Sequence, residues 1–302
     1  MKILVVICTY NRAELLRRTL SRLCEADQPL HATWSLLIVN NKCTDHTQRV
    51  IDDFRDRLPL QSVHHASQGL GSARNRAVDS DLAADADYIV WTDDDVLVER
   101  GWLRAYEAAF RRFPDSCLFG GNVIPWFEEE PPAWLLEGWE TFKDAFAVRE
   151  FDGSFPLQLE GLRIPFGANY AIRTREQRRL RYDPNLGPIG TRWLGGDEVG
   201  VMWQLLQQGQ TGWWVPDATV RHFIPRERIS MAFLAKYFRG QGATQAIQQR
   251  EDGVPWFRKP AWLWKRAAQE WTRYALERRR GDVLRWSRHF RAANFYSGKL
   301  FA

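Results

Sequence analysis

Residues 93–95 are three consecutive aspartates, reached directly from the apolar run Ile89-Val90-Trp91. Neighbouring carboxylates repel one another, so the run predicts a positive group close by. In an extended segment alternate side chains share a side, which sets Asp93 and Asp95 together and Asp94 opposite. Two convergent carboxylates suit a hard divalent cation, Mg²⁺ or Mn²⁺, held through oxygen at about 2.0–2.2 Å with phosphate oxygens completing the shell. The plainer reading is that the acids complement the dipole of a following helix, which accounts for one aspartate better than for three.

The stretch "QGLGSARN" (68–75) has the opposite charge logic. Gly69 and Gly71 let backbone approach a ligand closely. Arg74 falls in the first turn of a helix, beside N–H donors that suit a phosphate. A surface arginine at a loop–helix junction is the ordinary alternative. In "GGDEVGVMWQLLQQG", Asp197 and Glu198 open an amphipathic helix. A carboxylate there can take the proton of an attacking hydroxyl, or simply complement the helix N-terminus. His222 follows a late strand and is either a metal or diphosphate ligand or a structural imidazole.

The elements that must carry these groups follow from apolar periodicity. Buried strands are expected at 2–8, 34–41 and 87–93, with a shorter one at "QSVHH" (61–65). Helices are expected at about 12–25, 45–57, 70–83 and 100–113. Four alternations with short links predict a parallel sheet flanked by helices. Ligands then gather at the carboxyl ends of the strands. "TYNR" (9–12), "NNKCTDHT" (40–47), "SQGLGSARN" (67–75) and "DDD" (93–95) all leave from those ends. Beyond 125 the pattern breaks. "WFEEEPPAWLLEGWE" reads as an irregular loop or lid, "TGWWVPDATVRHF" as a strand pair, and the helix from 230 as interrupted near Gly240 and Gly242.

Six blocks together carry a family resemblance: "VVICTYNRAELLRRTLSRL", "NNKCTDHT", "GLGSARNRA", "VWTDDDV", "FGANYAIRTRE" and "GGDEVGVMWQLLQQG". In this order they resemble the inverting family 2 glycosyltransferases of GT-A fold, over residues 2 to 245. The resemblance implies an α/β GT-A fold, Rossmann-like, with a mostly parallel sheet flanked by helices and a C-terminal helical extension. It implies a catalytic domain at 1–225, with a nucleotide half at about 1–115 and an acceptor half at 116–225, followed by an extension at 226–302. It also implies transfer of a sugar from a nucleotide diphosphate sugar, a UDP-sugar by preference, to a glycan or lipid-linked acceptor with a divalent cation.

Residue by residue, the resemblance assigns Thr9, Tyr10, Arg12, Asp45, Gly69, Arg74, Asn75, Asp93 and Asp94 to the nucleotide-sugar site. Asp45 is matched to the base, and Asp93 and Asp95 to the outer acids of a D-x-D motif, facing ribose and metal. Asp95 and His222 are then the metal side, and Gly167, Ala168 and Asn169 the acceptor side. The family's usual Glu-Asp pair is replaced here by Asp197-Glu198, which puts Glu198 at the place of the catalytic aspartate and leaves Asp197 as the other candidate base. Arg226, Arg228 and Arg239 are candidates to close over the diphosphate.

The chain has 302 residues and a net charge of +5. Its basicity is local: residues 254–302 carry 12 Lys and Arg against three acids, a balance of +9, so the rest is about −4. Trp256, Trp262, Trp264, Trp271 and Trp286 lie among those cations. Trp and cations together suit an anionic membrane interface; packing of the tail onto the catalytic domain is the competing reading. No nucleic-acid-binding motif is present. The four cysteines make no C-x-x-C pair, as expected of reduced thiols in a cytoplasmic protein, with peripheral attachment to the inner membrane face as the tail's alternative. No run reaches the about 20 apolar residues of a membrane span. A non-catalytic polyanion- or membrane-binding protein on this scaffold, and a nucleotidyltransferase, are the competing functions. The latter needs a glycine-rich N-terminal loop that "CTYNRAE" lacks.

Overall fold

The computed structural model describes residues 1–160, 163–184, 187–189, 192–194, 197–249 and 254–302. The chain divides into two compact units.

The first unit begins with β1 (Lys2–Thr9), α1 (Ala13–Glu25), β2 (Thr33–Asn41), α2 (Thr47–Asp53), β3 (Leu60–His65), α3 (Leu70–Val78), α4 (Asp81–Asp85) and β4 (Tyr88–Asp93). β1 pairs in parallel with β2 and β4, and β2 with β3. Side-chain alternation explains why β1 is apolar from Ile3 to Ile7. Ile3, Val5 and Ile7 face a core formed with Leu16, Leu20, Val50 and Ile51. Leu4 and Val6 face another formed with Ala73, Ala77 and Val78. A strand covered on both faces has no polar side, and each such residue contributes roughly 2 kcal/mol by leaving water.

The chain continues with β5 (Val96–Val98), α5 (Trp102–Arg112) and β6 (Leu118–Phe127). α6 (Ala133–Glu137) and α7 (Trp139–Phe142) belong to the second unit. β7 (Asn169–Arg173), α8 (Thr174–Gln177), β8 (Gly187–Ile189), α9 (Asp197–Gln207) and β10 (Gly212–Ile224) follow, and β9 (Arg192–Leu194) belongs to the second unit. Among the described residues the large sheet has eight strands in the order β3-β2-β1-β4-β7-β6-β10-β5. Its first four strands are parallel, whereas β7 runs antiparallel to β4 and β6, and β5 antiparallel to β10. This mixed sheet with flanking helices agrees with the GT-A fold that the six sequence blocks imply.

Several local expectations are corrected. The helix expected over 70–83 is two, because the Ser80 hydroxyl accepts the Ala83 N–H at 3.1 Å and starts α4 as an N-cap. The segment 212–224 is one 13-residue strand; Asn122 Nδ2 donates to the Pro216 carbonyl at 3.1 Å, so the strand passes its proline without folding back. The loop expected over 126–140 is confined to residues 128–132, between the end of β6 and α6, with α7 following.

The second unit is built mainly from Phe127–Phe146 and Ile224–Ala302. It contains α10 (Met231–Gln248), α11 (Ala261–Arg280) and α12 (Val283–Leu300). α10 runs unbroken through Gly240 and Gly242. A Cβ on Gly242 would stand 2.0 Å from the Phe295 carbonyl oxygen, and one on Gly298 2.0 Å from that of Arg239. These glycines serve close helix contact rather than breakage. Gly281, with φ +77°, ends α11 in the left-handed conformation. Phe142, Phe238, Trp286 and Phe290 form an aromatic core with ring centroids 6.0–6.5 Å apart. No helix among the described residues is long and apolar enough to cross a membrane.

Candidate active site

The loops leaving β1, β2, β3 and β4 are tied to one another at their carboxyl ends. Asn11, at φ +50°, uses a left-handed backbone that asparagine tolerates. Its Oδ1 accepts the Thr44 N–H at 2.7 Å and joins the first two loops. Asn41 Nδ2 donates to the Gly69 carbonyl at 3.2 Å and joins the second to the third. Sequence reasoning read Asn11 only as a cap for the helix that follows and gave neither Asn11 nor Asn41 a place in the site, although both stand in the polar runs that it marked; α1 takes no side-chain cap from Asn11.

Arg12 joins the first loop to the fourth. Its Nη1 donates to Asp94 Oδ1 at 3.0 Å and Asp95 Oδ2 at 2.7 Å. Asp94 and Asp95 are both buried, at 4% and 5% exposure. The strict alternation expected of 93–95 fails because β4 ends at Asp93 and residues 94–95 form a turn. Arg12 is thus a resident countercharge for the triplet. Attraction to Asp94, opposed by desolvation and helped by Asp95, raises its guanidinium above its usual range. Burial pushes Asp94 up to about 6, with Arg12 pulling the other way. The Thr19 hydroxyl donates to the Asp94 carbonyl at 3.0 Å and fixes the turn.

The pairing of β5 with β10 places His222 opposite Val96. The Phe223 N–H donates to the Asp95 carbonyl at 2.9 Å. His222 Nε2 consequently lies 3.5 Å from Asp95 Oδ1, and both side chains are buried. A carboxylate oxygen and an imidazole nitrogen at this separation are donors that Mn²⁺ accepts, with Mg²⁺ favouring the oxygen. No group of three metal-binding side chains occurs among the described residues, so an ion here would need oxygens from a ligand.

A second cluster surrounds Arg74, which is 97% buried by its α3 position. Its guanidinium lies 3.9 Å from Asp93 Oδ1 and 3.6 Å from Glu198 Oε2. It also stands over the rings of Tyr170 and Tyr182 at 5.9 and 5.5 Å. The Gly167 N–H donates to Glu198 Oε1 at 3.2 Å. A Cβ on Gly167 would meet Arg74 Nη2 at 2.8 Å and Glu198 Oε1 at 3.1 Å, so a side chain there would displace the ends of both. Tyr182 lies in a loop with no pattern that would mark it from sequence. Asn75 holds that loop, donating to the Tyr182 carbonyl at 2.8 Å and accepting its N–H at 3.0 Å.

Other expected site residues stand differently. Thr9 is buried and Tyr10 exposed. Asp45 accepts the Ala13 N–H at 3.2 Å and the Thr47 N–H at 3.1 Å, capping α1 and α2. Burial acts to raise its pKa, but the Thr47 hydroxyl and these amides win and hold it below the usual carboxylate range. Ala168 is buried. Asn169 is fully buried and points into the core: its Oδ1 accepts Trp102 Nε1 and the Tyr106 hydroxyl, and its Nδ2 donates to the Asn122 and Ala218 carbonyls. The structure therefore does not bring the Asn169 side chain to the acidic clusters. Asp197 opens α9, and its side chain lies outside the described residues. Within the second unit Arg226 pairs with Glu227 and Glu129, and Arg239 donates to Asn294.

The sequence profile described as "Glycosyl transferase family 2" matches residues 4–164, more than half of the chain. The chain belongs to glycosyltransferase family 2. A curated relative, the succinoglycan biosynthesis protein ExoM of Rhizobium meliloti (strain 1021), is 25% identical over 256 residues, covering 82% of this chain and 76% of that protein. Among solved structures, S. aureus TarS 1–349 in complex with UDP-GlcNAc is similar at a TM-score of 0.57 and 15% identity, over 99% of this chain and 90% of that one. The mannosyltransferase PcManGT from Pyrobaculum calidifontis in complex with GDP-Man and Mn²⁺ is similar at 0.55 and 19% identity, over 83% of this chain. This chain spans 64% of that protein's length. These two likenesses show the fold.

Proposed function

We propose that this glycosyltransferase moves a sugar from a nucleotide diphosphate sugar to a hydroxyl of a glycan or lipid-linked glycan, with inversion and with a divalent cation. The observation that carries the reading is the placing of Arg74, Asp93, Glu198 and the Gly167 N–H within hydrogen-bond or ion-pair reach of one another at the strand ends. A single displacement needs one base and a stabilised leaving group, and it needs no enzyme nucleophile. The acceptor oxygen forms its bond to C1 as the bond from C1 to the diphosphate oxygen breaks.

Glu198 takes the hydroxyl proton. The Gly167 amide orients Oε1, and Arg74 offers the carboxylate a countercharge. Asp95 and His222 would hold the cation, which when bound offsets charge growing on the leaving diphosphate. Arg12 and Arg74 supply fixed positive charge to the same phosphates. Asn75 positions the Tyr182 loop, and Asp93 stands at the ribose side. The diphosphate-sugar donors in TarS and PcManGT, and the Mn²⁺ in PcManGT, support this reading. Participation of ExoM in succinoglycan synthesis supports a polysaccharide acceptor. UDP is the preferred nucleotide by the sequence blocks, and the bound UDP-GlcNAc of TarS supports it.

Calorimetric titration with UDP and GDP, each with Mn²⁺ or chelator, tests the metal side. We expect nucleotide affinity to depend on Mn²⁺ and to drop at least tenfold in Asp95→Ala, about 1.4 kcal/mol. Equal affinity with chelator and in the variant removes Asp95 from the ion.

A further inference from the structure

The second unit presents a surface that the transfer chemistry does not use. Trp256 and Phe257 are 56% and 66% exposed, Trp262 is 56% exposed and Phe301 68%. Three ring contacts join most of them into one patch: Trp256 to Phe257 at 5.7 Å, Trp256 to Trp264 at 5.8 Å, and Trp264 to Phe301 at 6.0 Å. On α11, Trp262, Lys265, Arg266 and Arg273 recur at helical spacing and all are exposed. Phe301 also lines a cavity of about 490 Å³ whose walls include Trp271 and the exposed cations Lys236 and Arg239. An aromatic surface and a cationic cavity therefore share an edge.

The charge of this surface is one-sided. The three acids of residues 254–302 are engaged within their own helices or helix pair. Glu270 is buried and meets Arg266 at 3.2 Å and His289 at 2.7 Å. Glu277 meets Arg280 at 2.8 Å, and Asp282 caps α12 through the Arg285 N–H at 3.0 Å. What remains exposed is positive: Arg258, Lys265, Arg279 and Arg288 among others, with Arg273 also exposed while it meets Glu270 at 3.5 Å. A partner must match indole and phenyl rings with an interfacial layer and many guanidinium groups with anions. A bilayer headgroup region offers both, since Trp settles there and anionic lipids attract each nearby cation.

We propose that the Trp256–Phe257–Trp264–Phe301 patch and the exposed cations of α11 dock this protein on the surface of an anionic bilayer, with Lys236 and Arg239 receiving a lipid phosphate at the adjoining cavity. The docking is peripheral, by one face of the helical unit. It does not depend on the identity of the donor or acceptor.

Flotation of the full chain tests it, with vesicles of phosphatidylcholine alone and of phosphatidylcholine mixed with phosphatidylglycerol. Binding is expected only to the mixed vesicles and is expected to weaken with salt. Trp256→Ala with Phe257→Ala should lower partition at least tenfold. Lys265→Glu and Lys236→Glu should each lower it roughly fivefold or more, the worth of one interfacial cation. All four positions are exposed, and unchanged circular dichroism and Tm show that the variants remain folded. No binding of the parent to mixed vesicles overturns the proposal. So does parent-like binding by the aromatic variant. Self-association of the parent in sedimentation, abolished by the aromatic variant with no vesicle binding, assigns the patch to a second copy and also overturns it. Retention of the parent on a nucleic acid column without vesicle binding does the same.

Discussion

The strand-end clusters of the first unit and the surface of the helical unit use charge in opposite ways. In the first, cations and acids interleave at short range. Arg12 bridges Asp94 and Asp95, and Arg74 lies between Asp93 and Glu198. Most of these groups are buried, where an unpaired charge costs several kcal/mol. In residues 254–302 of the second, the three acids are paired or capping and most cations are left at the surface, where water keeps each nearly neutral for stability. Under the proposed function, charge of the first kind meets a ligand that redistributes it. Charge of the second kind adds long-range attraction without affecting the fold.

That contrast can be broken at several points. The largest stability effect is expected from neither charge set but from the helix contact beneath the second. Gly242→Val drives a Cβ against the Phe295 carbonyl and should cost about 3 kcal/mol, read as a drop in the midpoint of urea unfolding. Arg74→Ala comes next. It leaves Asp93 and Glu198 near each other without their shared cation and should cost about 2 kcal/mol, below the 3–5 kcal/mol of fully buried pairs because Asp93 keeps 29% exposure. Stability unchanged in Arg74→Ala would mean that the cluster is not electrostatically coupled. The smallest effect belongs to the exposed Arg279. Arg279→Glu should change stability by less than about 0.5 kcal/mol by the same urea measurement. A loss as large as that of Arg74→Ala erases the distinction between the two regions.

How much of this could be read from sequence depended on which physical signal a residue carries. β1, β2 and β4 were legible because a strand covered on both faces must be apolar at every position, and Ile3 to Ile7 satisfy that. β5 was not, since three residues after a turn carry no period. The continuity of α10 was hidden because glycine weakens a helix on its own account, while here it is required by the approach of Phe295 and Arg239 from α12 and α10. In the site, polar runs after successive strands were legible as a convergent edge. The partnership of Arg12 with Asp94 was not, because it depends on the chain turning at Asp94 rather than continuing as strand. Asn169 was read as a ligand-side amide from its motif, yet four buried partners from α5, β6 and β10 absorb it. Those partners are set only by the assembled sheet. The five tail tryptophans divide in the same way: Trp286 packs inside, while Trp256 and Trp262 remain exposed.

Under the proposed function Glu198, held by Gly167 and Arg74, takes the acceptor proton. This central claim is tested most directly by Glu198→Gln, which keeps the shape and loses the base. Single-turnover transfer from a UDP-sugar with Mn²⁺ should fall by about 10²–10⁴-fold, with donor affinity by calorimetry within about threefold of the parent, roughly 0.65 kcal/mol. Parent-like turnover in Glu198→Gln, with the donor still bound, contradicts the assignment and moves the base to another residue.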